Sequence, residues 1–158
     1  MMKLVEKVAK MLKARGETIA VAESSTGGLI SANLLMVPGA SAYYAGGTVI
    51  YTKASRKVFL NLPIDRLKGL KPLTEDMAMV FAETIKQDLQ ATWGLAELGV
   101  AGPGGTPYSH EVGISVIALS GPMDASIIVR TGINEREKNM HLFTEEAIGL
   151  IETTLASL

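Results

Sequence analysis

No cysteine occurs in the 158 residues of this chain, and its two histidines, His110 and His141, stand far apart. Disulfides, thiolate catalysis and thiolate metal sites are thereby excluded. A histidine metal centre or a Ser-His-Asp triad has almost nothing to draw on, and neither is expected; nor is a cofactor expected. An excess of one charge is also missing. Fifteen Lys and Arg face 16 Asp and Glu, a formal net charge of −1, with no block of like charges. A non-specific nucleic-acid binder needs a basic stripe, and none is visible. Nothing approaches the roughly 18 consecutive apolar residues of a membrane span. Lys3, Glu6, Lys7, Lys10, Lys13 and Arg15 interrupt the amino-terminal stretch, which is not the pattern of a signal peptide. A cytoplasmic location is the expectation.

What is present is an alternation of helical and strand patterns, without linker, repeat or low-complexity segment. At this length a single domain, 1–158, can bury a core. Leu4, Val5, Val8, Ala9 and Leu12 recur at helical spacing, and Gly16 follows as a stop. The apolar run Thr18–Ala22 reads as a buried strand, and a helix is expected from about Gly27 to Leu35. Residues 46–51 read as a strand and Thr52–Leu60 as a short helix. Thr74, followed by Glu75 and Asp76, is an N-cap for a helix that buries Ala78, Phe81, Ala82, Ile85 and Leu89 and ends near Gly94. Strands are expected at Leu95–Val100, Val112–Leu119 and Ser126–Thr131. Asn134 and Glu137 read as a capping box for a terminal helix. The pattern predicts an α/β three-layer sandwich, a central sheet flanked by helices. Because the last three strands follow one another without helices, the sheet must be mixed.

The most informative stretch is Glu23-Ser24-Ser25-Thr26-Gly27-Gly28, at the junction of the first strand and its helix. The first amides of a helix have no internal partner and the macrodipole is positive there. A hydroxyl beside such donors can serve as a nucleophile or help bind an anion. Equally, Ser25 or Thr26 can simply cap the helix while the glycines permit close packing. A second glycine-rich turn, Gly99-Val100-Ala101-Gly102-Pro103-Gly104-Gly105, follows a later strand. Ligands gather at the carboxyl ends of strands in open α/β sheets, so the two turns are candidates to share one ligand. The other reading is a plain connecting loop. Neither turn is a nucleotide fingerprint.

These segments, with Val37-Pro38-Gly39-Ala40-Ser41-Ala42-Tyr43-Tyr44, Gly46-Gly47, Pro72-Leu73-Thr74-Glu75 and Val112-Gly113, stand in the order and spacing of the CinA C-terminal domain family. The resemblance covers nearly the whole chain. Stand-alone members of that family resemble nicotinamide mononucleotide deamidases of pyridine nucleotide metabolism. They hydrolyse the carboxamide to give nicotinate mononucleotide and ammonia. The resemblance implies a cytoplasmic homodimer without metal, acting on a small phosphorylated nucleotide.

By that resemblance Ser24 is the nucleophile, Tyr51 assists, and Ser25, Thr26, Gly27, Gly28, Gly47, Gly102, Gly104 and Gly105 form the substrate site. The family's base lysine, five positions beyond the tyrosine, falls on Arg56. An arginine keeps its proton and cannot be a general base at neutral pH. Lys53, one helical turn before Arg56, is the substitute base; Lys57 points about 100° away and is a weaker one. Leu98 replaces a hydroxyl residue, and Met140 and His141 replace arginines of the last helix. Two readings follow: a serine amidohydrolase of the deamidase type, and a non-catalytic relative that binds a nucleotide or similar anion.

Overall fold

The computed structural model describes residues 1–62, 64–104 and 111–158. Gly105, one of the expected substrate-site residues, and His110 lie outside the described residues. Helices α1 (Met2–Arg15), α2 (Leu29–Leu35), α3 (Lys53–Phe59), α4 (Glu75–Asp88) and α5 (Arg136–Ala156) alternate with strands. The strands are β1 (Ile19–Glu23), β2 (Tyr44–Val49), β3 (Trp93–Val100), β4 (Ile114–Ser120) and β5 (Ala125–Arg130). Short 3-10 turns occupy Ala40–Ala42 and Ile64–Leu67. Among the described residues the strands form one sheet in the order β2-β1-β3-β4-β5. The first three are parallel, while β4 and β5 run antiparallel, so the sheet is mixed as the pattern requires.

Alternation along the strands divides the core in two. Ile19, Val21, Trp93, Leu95, Ile117 and Leu119 pack under α1, α2 and α5. Ala20, Ala22, Ala96, Leu98, Val116 and Ala118 pack with Phe81, Ala82 and Ile85 of α4. Each face alone is apolar, so both must be covered by helices. Glu23 and Glu97 continue the Ile19/Val21 and Trp93/Leu95 rows, and the register sets these two carboxylates opposite each other. That pairing positions the site.

Local signals held at several ends and failed at others. Gly16 closes α1 in the left-handed conformation, and Thr74 caps α4 by accepting from the Met77 amide. Thr52 caps α3 in a capping box with Ser55. α2, however, begins at Leu29 behind Gly28, with no side-chain cap, because Ser25 and Thr26 are engaged elsewhere. β2 starts two residues early at Tyr44 and ends at Val49, which leaves Tyr51 outside the strand. α4 stops at Asp88 rather than near Gly94, since Trp93 already opens β3, and Leu89 is exposed. The N-cap of α5 is Glu135, not Asn134. The Asn134 carboxamide oxygen instead faces Gly102, so the expected capping box does not form.

Tyr43 is wholly buried in its own domain, where its hydroxyl donates to the Leu34 carbonyl. Burial pushes its phenol above the ordinary range. A phenol with a raised folded pKa stabilises the fold below the unfolded value of about 10 and loses that contribution as pH rises beyond it. Tyr43→Phe is expected to cost about 1 kcal/mol near neutrality. It should also flatten the fall in melting temperature above pH 10, and an unchanged alkaline slope would count against this account.

Candidate functional site

The chain leaves β1 at Glu23 and turns through Ser24–Gly28 into α2. Gly28 sits at φ 105, a conformation that side chains rarely tolerate, and so makes the tight entry possible. Both strand-end carboxylates are fully buried. Glu23 accepts from the amides of Gly28 (3.0 Å), Ile30 (3.1 Å) and Ser31 (3.0 Å), and from the hydroxyls of Ser31 (2.6 Å) and Thr26 (2.7 Å). Glu97 accepts from the amides of Ser24 (3.0 Å) and Thr26 (3.1 Å). It also accepts the hydroxyls of Ser25 (2.5 Å) and Ser115 (3.0 Å), with Thr26 Oγ1 at 3.0 Å. The amides of Ser24, Thr26, Gly28, Ile30 and Ser31 are therefore already engaged within the protein. The protein's own carboxylates already fill that electropositive end.

One hydroxyl of the trio differs from its neighbours. Ser25 and Thr26 are tied to carboxylates, whereas among the described residues no hydrogen bond engages Ser24 Oγ. Ser24 instead lines a cleft of about 380 Å³ with Tyr51, Lys53, Arg56, Pro72, Leu73, Met77 and Leu98. Gly99 and Val100 complete its wall. A smaller cavity of about 110 Å³ adjoins it, lined by Ser25, Tyr51, Gly99–Gly102, Gly104 and Arg136. Tyr51, Gly99 and Val100 belong to both. The two turns thus meet around one aromatic residue, at the carboxyl ends of β1 and β3.

Each expected residue other than Gly105 has a definite place. Ser24, Tyr51, Lys53 and Arg56 share the larger cleft; Ser25, Gly102 and Gly104 line the smaller. Thr26 is wholly buried between the carboxylates, and the Gly28 amide is spent on Glu23. Gly27 lies beside Met140 of α5, and Gly47 lies in β2 near Tyr44 and Ser31. Thr26, Gly27, Gly28 and Gly47 line neither cavity. Arg56 donates from Nε to the Ile50 carbonyl at 3.3 Å, with its guanidinium 5.3 Å from the Phe81 ring centre.

Three residues escaped the sequence reading. Glu97 had a signal, a lone carboxylate inside the apolar strand WGLAELGV. Arg136, in the first turn of α5, donates to the Gly102 carbonyl at 2.8 Å and to Tyr51 Oη at 3.3 Å. It brings to the site a cation of the last helix, one turn before Met140 and His141, which stand where the resemblance implies arginines. Asn139 is fully buried and donates to the carbonyls of Ala101 (2.9 Å) and Ile133 (2.8 Å), clamping the second turn against α5. Nothing local in sequence distinguishes these two from ordinary helix-surface residues. Among the described residues no group of three or more His, Asp or Glu could hold a metal ion, and no helix is long and apolar enough to cross a membrane.

Comparison with known proteins bears on the family and the fold. The model of the CinA C-terminal domain matches residues 1–155. A CinA-like protein of Acidobacterium capsulatum is 33% identical over 144 residues, 91% of this chain and 35% of that protein. A CinA-like protein of an Anaeromyxobacter species is 38% identical over 149 residues, 94% of this chain and 36% of that protein. The chain therefore spans about a third of the curated relatives it matches. A competence-damaged protein (CinA) superfamily structure from Klebsiella pneumoniae superposes with a TM-score of 0.90 at 23% identity, covering 99% of this chain and 98% of that one. At that identity the likeness speaks for the fold.

Proposed function

The chain belongs to the CinA C-terminal domain family, and from that premise we propose that it is a serine amidohydrolase of the nicotinamide mononucleotide deamidase type. The observation that carries this reading is the Ser24 hydroxyl. It lines an open cleft beside Tyr51, Lys53 and Arg56, while the neighbouring hydroxyls are tied to carboxylates. The carboxamide enters the larger cleft, and the phosphate is held in the smaller cavity by Arg136 and the glycine turn.

Ser24 Oγ attacks the carboxamide carbon, with Lys53 as the base that takes its proton. The Ser24 amide already serves Glu97, so the tetrahedral oxygen needs another donor. Tyr51 is suited to that role. Arg136 donates to Tyr51 Oη, which leaves the phenol's own proton to point into the cleft. As the C–N bond breaks, Lys53 returns the proton to nitrogen, ammonia departs, and the acyl group rests on Ser24. Water, deprotonated by the same amine, then cleaves the ester to release nicotinate mononucleotide and free serine.

One observation favours the second reading, a binding relative without catalysis. An arginine occupies the place of the family's base, and it packs against Phe81 and the Ile50 carbonyl. Ammonia release from nicotinamide mononucleotide separates the two. Turnover by wild type, raised further in Arg56→Lys, is expected. If neither protein releases ammonia while both bind the nucleotide, the binding reading replaces the amidase. A cytoplasmic homodimer belongs to the same proposal, supported by exposed Val49, Val58 and Phe59 near the free edge of β2 and on α3. A monomer mass by light scattering at micromolar protein would count against the dimer.

A further inference from the structure

Two carboxylates side by side in a protein interior are costly, because ions lose their hydration there. Here the parallel register of β1 and β3 places Glu23 and Glu97 opposite each other, both fully buried. Their donors divide the work. Glu23 takes the amides of Gly28, Ile30 and Ser31. Glu97 takes the amides on either side of Ser25, those of Ser24 and Thr26, together with the Ser25 and Ser115 hydroxyls. Thr26 Oγ1 sits between the pair. Glu97 therefore grips the segment that carries the nucleophile, from a strand 72 residues away for its contact with Ser25.

The surroundings keep that grip free of obstruction. A Cβ at position 99 would collide with Ser25 Oγ and with the Glu97 carboxylate, so a glycine there keeps their contact open. Ser115 lines neither cavity, yet its hydroxyl reaches the same carboxylate oxygen as Ser25. An apolar residue at position 97 would leave the Ser24 and Thr26 amides without their acceptor and would release the Ser25 hydroxyl.

We propose that Glu97 is a positioning residue for the reaction. It fixes the main chain of Ser24 so that its hydroxyl faces the larger cleft, and it binds the Ser25 proton so that the adjacent hydroxyl does not compete. Glu97 touches no substrate and moves no proton in the reaction. This inference rests on Ser24 being the nucleophile.

The test uses Glu97→Gln, which preserves shape and one acceptor oxygen, and Ser115→Ala, which removes a single donor to Glu97 away from both cavities. Ammonia release from nicotinamide mononucleotide and amide hydrogen exchange by NMR are measured on both and on wild type. In Glu97→Gln, kcat is expected to fall about 10- to 100-fold with KM within about twofold, the signature of a misaimed nucleophile. Ser115→Ala should show the same split at about two- to fivefold, on the same reasoning. Exchange at Ser24 and Thr26 should accelerate about tenfold in Glu97→Gln relative to Gly28 and Ile30, which Glu23 holds and which report any global loosening. Unchanged kcat in Glu97→Gln overturns the proposal, as does a loss confined to KM. If wild type itself releases no ammonia, the amidase reading fails, and the exchange ratio still decides whether Glu97 holds the turn. An unchanged ratio then overturns it.

Discussion

Ser24→Ala is expected to reduce ammonia release by roughly 10³-fold or more, because the acyl-enzyme route then has no oxygen to attack with. The neighbouring hydroxyls cannot take over. Ser25 donates to Glu97 at 2.5 Å, and Thr26 is wholly buried between two carboxylates. Folding should be nearly unaffected, within about 0.5 kcal/mol, since Ser24 Oγ has no hydrogen bond among the described residues. Binding of the intact nucleotide should persist, held by Arg136 and the second turn. Lys53→Ala is expected to follow the same pattern with a loss of about 10²- to 10⁴-fold, the usual contribution of a general base. A Ser24→Ala protein that keeps more than about a tenth of wild-type turnover cannot be reconciled with a roughly 10³-fold role for the nucleophile. In that event Ser25 becomes the residue to replace next.

Glu23→Ala is expected to be among the most destabilising single changes in the chain. It deletes the acceptor of three amides and two hydroxyls at the start of α2. Each buried donor left without a partner costs about 1–3 kcal/mol, and water entering the gap offsets part of that. It also removes the anion that opposes the helix macrodipole. A net loss of about 4 kcal/mol is expected, comparable with about 3–5 kcal/mol for a buried Phe→Ala change such as at Phe81. Urea denaturation of purified protein reads it directly. Glu23→Gln keeps one acceptor oxygen and should lose markedly less. A loss below about 1.5 kcal/mol for Glu23→Ala would show that the donors find other partners, against the usual cost of leaving them unpaired.

The order of elements, the two apolar faces and the mixed sheet were legible along the chain, because they rest on local periodicity. Apolar residues recur at helical or strand spacing wherever a helix or strand must bury one side. Gly16 and Thr74 marked helix ends because left-handed backbone and a free hydroxyl act within a few residues of themselves. The glycine-rich turns could be placed for the same reason, and so could Ser24 at the junction of β1 and α2. Local signals failed where a distant partner outbid the nearby one. Thr26 passed over α2 for Glu23 and Glu97, and Asn134 turned towards Gly102 instead of capping α5.

What the tertiary structure alone decided is who meets whom at the site. Whether the Ser24 and Thr26 amides ahead of α2 are open to a ligand depends on Glu97, whose strand pairs with β1 only in the folded sheet. That Tyr51 Oη accepts from Arg136 joins two residues 85 apart along the chain. Strand register and helix packing choose such partners, and both follow from the burial of the whole apolar core. A hydrogen bond across that distance leaves no periodic trace in sequence, since it needs only one suitable donor and one acceptor brought together by the fold.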